Sequence, residues 1–128
     1  MINILIYAAS ADMAGKNLKG LLKTLAVKNQ SETYLAIEAL IKRLRKPLGQ
    51  NFIGILIPGD QRELSNLISI RHLFRDIRII LVLPDNEEAT ISKGHCLRPR
   101  FLTYADSNFS DVIAVIENMM ACHRKDQL

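Results

Sequence analysis

The sequence predicts an α/β domain in which a parallel sheet lies between two layers of helices. Three segments are almost wholly apolar and lack the alternation of a half-buried strand: Asn3 to Ala8, Phe52 to Ile57 and Ile77 to Leu83. This pattern is typical of strands that are buried on both faces. Apolar residues at helical spacing follow each segment, and strands that alternate with helices form parallel sheets. A three-layer α/β sandwich is therefore the predicted architecture.

The first part of the chain is predicted to contain two strands and two helices. A strand from Ile2 to Ala8 precedes a helix from Asp12 to Ala26, in which leucines recur along one helix face. The segment from Gln30 to Leu35 is polar, as a strand at the edge of a sheet can be. A second helix, ended by Pro47 and Gly49, is predicted from four apolar residues at helical spacing: Ile37, Leu40, Ile41 and Leu44.

The segment from Phe52 to Ile57 is the predicted central strand, and the turn residues Pro58, Gly59 and Asp60 follow it. Asp60 and Glu63 have the spacing of a capping box, in which a polar side chain caps a helix and a glutamate follows three residues later. The helix that they open has an apolar face made by Leu64, Leu67, Ile68 and Phe74. Because ligands bind beyond the carboxyl ends of parallel strands, this turn is the predicted position of function.

A fourth strand, from Ile77 to Leu83, is predicted to end at Pro84. Asp85 and Glu88 repeat the capping spacing and open a short helix that ends near Gly94. The predicted fold is completed by a fifth strand and a last helix, which cover Arg100 to Ala105 and Phe109 to His123.

Length and composition favour a single domain over residues 1–128. Apolar residues make up 48% of the chain and charged residues 23%, as in ordinary globular proteins. The longest apolar segments are far shorter than the roughly 20 residues that a membrane span needs, so we expect a cytoplasmic protein. Cys96 and Cys122 belong to no metal-binding motif and are expected to be free thiols. The net charge of +4 is low for a dedicated nucleic-acid binder, and the scattered arginines are predicted to be solvated.

The predicted strand order is 2-1-3-4-5, the flavodoxin-like arrangement with right-handed crossovers. Length, element order and the placement of the apolar segments resemble the receiver domain of two-component response regulators, the CheY-like fold, over nearly all 128 residues. The resemblance implies a role in bacterial signal transduction. Receivers bind magnesium at an acidic pair after strand one and are phosphorylated on an aspartate that ends strand three. A Thr or Ser ending strand four and a Lys ending strand five sense the phosphoryl group.

Carried over to this chain, the receiver positions hold side chains that lack this chemistry, because magnesium needs carboxylate ligands and the phosphoryl group needs a carboxylate nucleophile. The acidic pair falls on Ala8 and Ala9, and the phosphoacceptor falls on Ile57 or Pro58. The switch hydroxyl falls near Leu83 or Pro84, and the lysine falls on Thr103 or Tyr104. The chain therefore resembles a degenerate receiver, or pseudo-receiver. We expect a non-catalytic, phosphorylation-independent module that binds no metal or cofactor.

Residues that follow the predicted strands offer an alternative function, the binding of a small molecule or anion. The candidate ligand-binding residues are Ser10, Asp12, Gly59, Asp60, Pro84 and Asp85. Free N–H groups at helix amino termini favour anions at this edge of the sheet. The aspartates are equally well explained as helix caps, which stabilise a helix by about 1 kcal/mol without any functional role. A second alternative is that Asp60, a few residues beyond the expected acceptor, is an atypical phosphoacceptor.

The last predicted helix has a wide apolar stripe: Val112, Ile113, Val115, Ile116, Met119 and Met120. Most of this stripe is needed to cover the sheet, and the surplus is a candidate surface for a protein partner or a homodimer. The resemblance implies the same face, because receivers signal and dimerise through helix four, strand five and helix five, here Asp85 to His123. The candidate interaction residues are Tyr104, Val115, Met119 and Met120.

Overall fold

The computed structural model of the chain describes residues 3–8, 30–46, 52–75, 77–104, 111–112 and 114–119. The strands are β1 (Asn3–Ala8), β2 (Gln30–Tyr34), β3 (Phe52–Ile57), β4 (Arg78–Leu83) and β5 (Phe101–Tyr104). The helices are α1 (Ile37–Leu44), α2 (Gln61–Ser69) and α3 (Glu88–His95), with a 3-10 turn at Arg71–Phe74. Residues 111–112 and 114–119 are also helical and are called α4 below.

The strands form one parallel sheet in the order β2-β1-β3-β4-β5, as the sequence predicts. β3 lies at the centre and pairs with both β1 and β4, with Ala8 opposite Ile57 and Ile55 opposite Ile80. All six residues of β3 are buried. β2, the predicted polar edge strand, pairs with β1 only. Continuous apolar segments therefore occupy the middle of the sheet, where both faces are covered.

The sheet separates two apolar clusters, so the predicted three layers are confirmed. Successive side chains of a strand point to opposite faces, and alternate residues of β1 accordingly belong to different clusters. One face packs against α4, where Val112 and Ile116 are fully buried. The other face packs against α1 and α2, whose buried side chains are Leu40, Leu44, Leu64 and Leu67.

Gly94 allows α3 to approach β4 closely. A Cβ atom built on Gly94 would lie 3.1 Å from the Cδ2 atoms of both Leu81 and Leu83. Such distances are shorter than ordinary van der Waals contact, so a side chain here would force its neighbours to move. The glycine near the end of α3 is therefore a packing residue as well as a helix-ending signal.

Two sequence predictions about helices are wrong in detail. The helix that starts after Asp60 does not continue to Phe74, because Ile70 adopts φ −110° and ψ 20° and the chain turns into the 3-10 segment. Ile70 and Phe74 are both buried in the resulting arrangement. Asp85 does not cap α3, since the N-cap residue of that helix is Glu87.

The predicted helix from Asp12 to Ala26 lies outside the described residues, as do both ends of the predicted last helix. None of the helices in the described part of the chain is long and apolar enough to cross a membrane.

Candidate functional site

The carboxyl ends of β1, β3 and β4 meet at one edge of the sheet, because the strands are parallel and in register. β1 ends at Ala8, opposite Ile57 at the end of β3, and β4 ends at Leu83. All three residues are buried, with at most 5% of each side chain exposed. Pro58 follows β3 and Pro84 follows β4. Apolar side chains and prolines thus occupy the strand ends at this edge.

Asp60 caps α2, as its spacing from Glu63 predicts. The Asp60 Oδ1 atom accepts a hydrogen bond of 2.8 Å from the backbone N–H of Glu63. The Glu63 carboxylate in turn accepts a hydrogen bond from the backbone N–H of Gly59, one residue before the cap. Both acidic side chains therefore satisfy backbone donors at the start of the helix, which the intrahelical pattern leaves without partners.

Asp85 has a different structural role from the one its spacing predicts. Its Oδ1 atom accepts a hydrogen bond of 2.9 Å from the backbone N–H of Glu87, so it closes a local turn before α3 begins. Gln61 joins this turn to the start of α2. Its Nε2 atom donates to Glu87 Oε2 at 3.2 Å and to Thr90 Oγ1 at 3.0 Å. The two loops after β3 and β4 are thereby linked through a glutamine that sequence patterns do not single out.

Tyr7 is a titratable side chain at this edge that the sequence reasoning missed. It lies within β1, and only 2% of it is exposed. Burial, together with the negative charges of Glu63, Glu38 and Asp60, raises the pKa of Tyr7 to about 12. Both causes favour the neutral phenol, because the phenolate would be poorly solvated and close to carboxylates. Tyr7 is therefore neutral at physiological pH, and its place in an apolar strand gave no signal of this environment.

The carboxylates at this edge do not form a metal site within the described residues. No group of three or more His, Cys, Asp or Glu side chains in that part of the chain is arranged to hold a metal ion. Of the predicted ligand-binding residues, Gly59, Asp60, Pro84 and Asp85 are placed beside the ends of β3 and β4. Ser10 and Asp12 lie outside the described residues.

The predicted interaction residues that the structure describes lie on both sides of the sheet. Val115 and Met119 of α4 are half-buried and pack against one apolar cluster. Tyr104, at the end of β5, is half-buried and packs against the other cluster. Each of the three is only half-buried and so retains some exposed surface. Met120 lies outside the described residues.

Comparisons with known proteins connect this fold to solved structures. No protein-family model and no curated protein matches the chain. A response regulator protein from Burkholderia pseudomallei, solved with a phosphorylated aspartic acid, a calcium ion and citrate, superposes with a TM-score of 0.66 and 14% sequence identity. The match covers 98% of this chain and 73% of that protein.

A second solved structure, a Burkholderia pseudomallei protein whose name relates it to pilus assembly, superposes with a TM-score of 0.68 and 17% identity. This match covers 94% of the present chain and 90% of the other. At these identities the likeness shows the fold, and it agrees with the predicted flavodoxin-like, CheY-like arrangement of the strands.

Proposed function

We propose that the chain is a degenerate receiver, a non-catalytic regulatory module that works in the cytoplasm in bacterial signal transduction. It acts through a protein partner and independently of phosphorylation. The proposal is supported by the five-stranded parallel sheet in the order of a receiver and by the likeness to a response regulator.

The main support for the proposal is that β3 ends in apolar residues and that the nearby Asp60 is used to cap a helix. In the family that the sequence resembles, the phosphoacceptor ends strand three. Here that strand ends with buried Ile57 and is followed by Pro58. The nearby Asp60 uses a carboxylate oxygen to cap α2. An acyl phosphate at Asp60 would replace the charged carboxylate that accepts this hydrogen bond with a neutral carbonyl oxygen, which is a weaker acceptor.

The surrounding charges also disfavour phosphoryl transfer to Asp60. The reaction brings a dianionic group to the carboxylate, and magnesium normally offsets the negative charge. Glu63 lies beside Asp60, and the position that ends β1 is Ala8 rather than an acidic magnesium ligand. A neighbouring carboxylate without a metal ion repels the incoming phosphate.

The test is a phosphorylation assay read by intact mass. The purified chain is incubated with magnesium and acetyl phosphate, and we expect its mass to stay unchanged. The control variant is Asp60→Asn, which keeps a side chain that caps helices as well as aspartate and therefore keeps the fold. A mass increase of one phosphoryl group in the wild type, absent from Asp60→Asn, would overturn the proposal. Asp60, which is exposed, would then be an atypical phosphoacceptor.

We assign the partner surface to the face formed by α3, β5 and α4. It includes Tyr104, Val115 and Met119, which are half-buried, and β5, which pairs with β4 alone among the described strands. A second copy of the chain is the simplest protein that this surface can bind, because an isologous contact uses the same patch twice.

Self-association is tested by sedimentation equilibrium over a series of concentrations. Asn118 is exposed and lies beside Val115 and Met119 on the helical wheel. Asn118→Arg is therefore expected to weaken dimerisation at least about tenfold, because it would bury a charge in the proposed interface. Glu117 is exposed on the other side of the buried stripe, and Glu117→Arg is the control that should have little effect although its change in charge is larger. A chain that stays monomeric at all concentrations would exclude the homodimer.

A further inference from the structure

A cleft of about 540 Å3 lies at the opposite edge of the sheet from the strand-end loops. It is bounded by the 3-10 turn, by the start of β4 and by the residues that follow α3. Its apolar floor consists of Phe74, Ile77, Ile79 and Leu97, which are all buried. The volume falls within the range of roughly 300 to 1,000 Å3 that is typical of small-molecule sites.

The rim of this cleft carries three arginines: Arg71, Arg75 and Arg98. All three are exposed. Among the described residues, an ion pair joins Arg43 to Glu32, and none is found for the three arginines of the rim. None of the described lining residues is acidic, and the neighbouring Asp76 lies outside the described residues. Three guanidinium groups around one cleft repel one another, and a bound anion would relieve that repulsion.

The rim also includes a residue in an uncommon backbone conformation. Arg98 has φ 50°, in the left-handed region where glycine is favoured and where other residues cost about 1 kcal/mol or more. Its backbone N–H donates a hydrogen bond of 3.0 Å to the carbonyl oxygen of His95, at the end of α3. A long cationic side chain is thus held at a turn where glycine would be more stable, directly beside the cleft. Strained residues of this kind are concentrated at functional sites.

The chemistry of the cleft indicates its ligand. A guanidinium group binds phosphate through two parallel N–H···O hydrogen bonds, and several arginines together suit a ligand with more than one negative charge. His72 and His95, which also line the cleft, add further hydrogen-bonding groups. The buried floor of Phe74, Ile77 and Leu97 suits an apolar or planar group rather than a bare ion. An extended nucleic acid would instead need a basic surface that continues beyond the cleft and aromatic side chains that stack with bases.

We propose that this arginine cleft binds a small phosphorylated ligand with an apolar or planar body, of the size of a mononucleotide. The site lies away from the strand-end loops, and of the elements α3, β5 and α4 it includes only the last residue of α3, His95. Its existence therefore does not depend on the proposed partner or on the absence of phosphoryl transfer.

The test is an amide NMR titration of the full chain with ADP, with inorganic pyrophosphate and with adenosine. We expect ADP to shift the amides of residues 71–75, 77–79 and 95–98, and pyrophosphate to compete with it. Adenosine should bind at least about tenfold more weakly than ADP, because a hydrogen bond to a charged group contributes more than one to a neutral group. The absence of binding by both ADP and pyrophosphate at millimolar concentration would overturn the proposal.

Two cleft variants and one control variant distinguish a loss of ligand binding from a loss of folding. Arg98→Gly removes the guanidinium group but suits the left-handed backbone, so the variant should fold at least as well as the wild type while its affinity for ADP falls about tenfold or more. Arg71→Gln should lower the affinity by a similar factor. Arg62→Gln, at an exposed position of α2 outside the cleft, is the control that should bind ADP normally.

Two results would contradict the assignment even if ADP binds. Unchanged affinity in Arg98→Gly and Arg71→Gln would place the ligand elsewhere. Much tighter binding of a single-stranded oligonucleotide than of ADP, with amide shifts that extend beyond the cleft, would identify a nucleic-acid interface instead of a small-molecule site.

Discussion

At the scale of single residues, acidic side chains at the carboxyl edge of the sheet stabilise loops and helix starts. Asp60 and Glu63 each accept a hydrogen bond from a backbone N–H group, and Asp85 closes the turn before α3. The negative charges of Asp60 and Glu63 also act on Tyr7, whose phenol is buried in β1. The same carboxylates therefore hold the loops in place and disfavour additional negative charge nearby.

Tyr7 makes the stability of the fold sensitive to alkaline pH. Its pKa is raised from 10.0 in the unfolded chain to about 12 in the folded chain, so the unfolded chain releases the phenolic proton first. The stabilisation present below pH 10 is therefore lost as the pH rises towards 12. Tyr7→Phe keeps the ring in the core but has no proton to lose. In urea unfolding measured over this pH range, the wild type should lose stability more steeply than Tyr7→Phe, and parallel curves would contradict the assigned environment.

The sequence predicts some of these residue roles and not others. The spacing of Asp60 and Glu63 correctly indicates a helix cap, because an unbroken helix starts directly after Asp60. The identical spacing of Asp85 and Glu88 is misleading, since α3 starts only after Glu87 and Asp85 hydrogen-bonds within the preceding turn. Spacing alone does not say where the first helical turn begins. The environments of Tyr7 and Arg98 depend on tertiary contacts and backbone angles that no local pattern encodes.

At the scale of elements, packing between α3 and β4 depends on a single glycine. The helix lies so close to the strand that Leu81 and Leu83 occupy the space that a side chain at position 94 would need. The sequence indicates Gly94 as a helix end, but the close approach to the sheet becomes visible only in three dimensions. The sequence pattern also does not reveal the 3-10 turn after α2, because Phe74 fits the apolar period of a continuous helix.

Gly94→Val should destabilise the fold by about 1–3 kcal/mol, because the added methyl groups overpack the contact with Leu81 and Leu83. The matched control is Ala89→Val at an exposed position of the same helix, where the change costs only helix propensity, about 0.5 kcal/mol. Chemical denaturation gives both free energies of unfolding. Equal losses in the two variants would mean that α3 does not pack tightly on β4.

At the scale of the whole molecule, the two edges of the parallel sheet differ in chemistry. The carboxyl edge, where this fold usually binds ligands, has buried apolar strand ends and acidic side chains engaged in hydrogen bonds. The amino edge has an open cleft with a cationic rim. The sequence predicts the strand order and the layers from three apolar segments. It does not predict the cleft, whose arginines come from separate segments and resemble an ordinary solvated surface.

The most direct test of the proposed function is the amide NMR spectrum of the chain, recorded alone, after addition of magnesium and after addition of acetyl phosphate. We expect the amides of Gly59, Asp60 and Asp85 to keep their chemical shifts through both additions, because no carboxylate at this edge is expected to bind magnesium or accept a phosphoryl group. Saturable shifts centred on Gly59 and Asp60, which then move again with acetyl phosphate, would contradict it. The chain would then be a phosphorylated switch rather than a degenerate receiver.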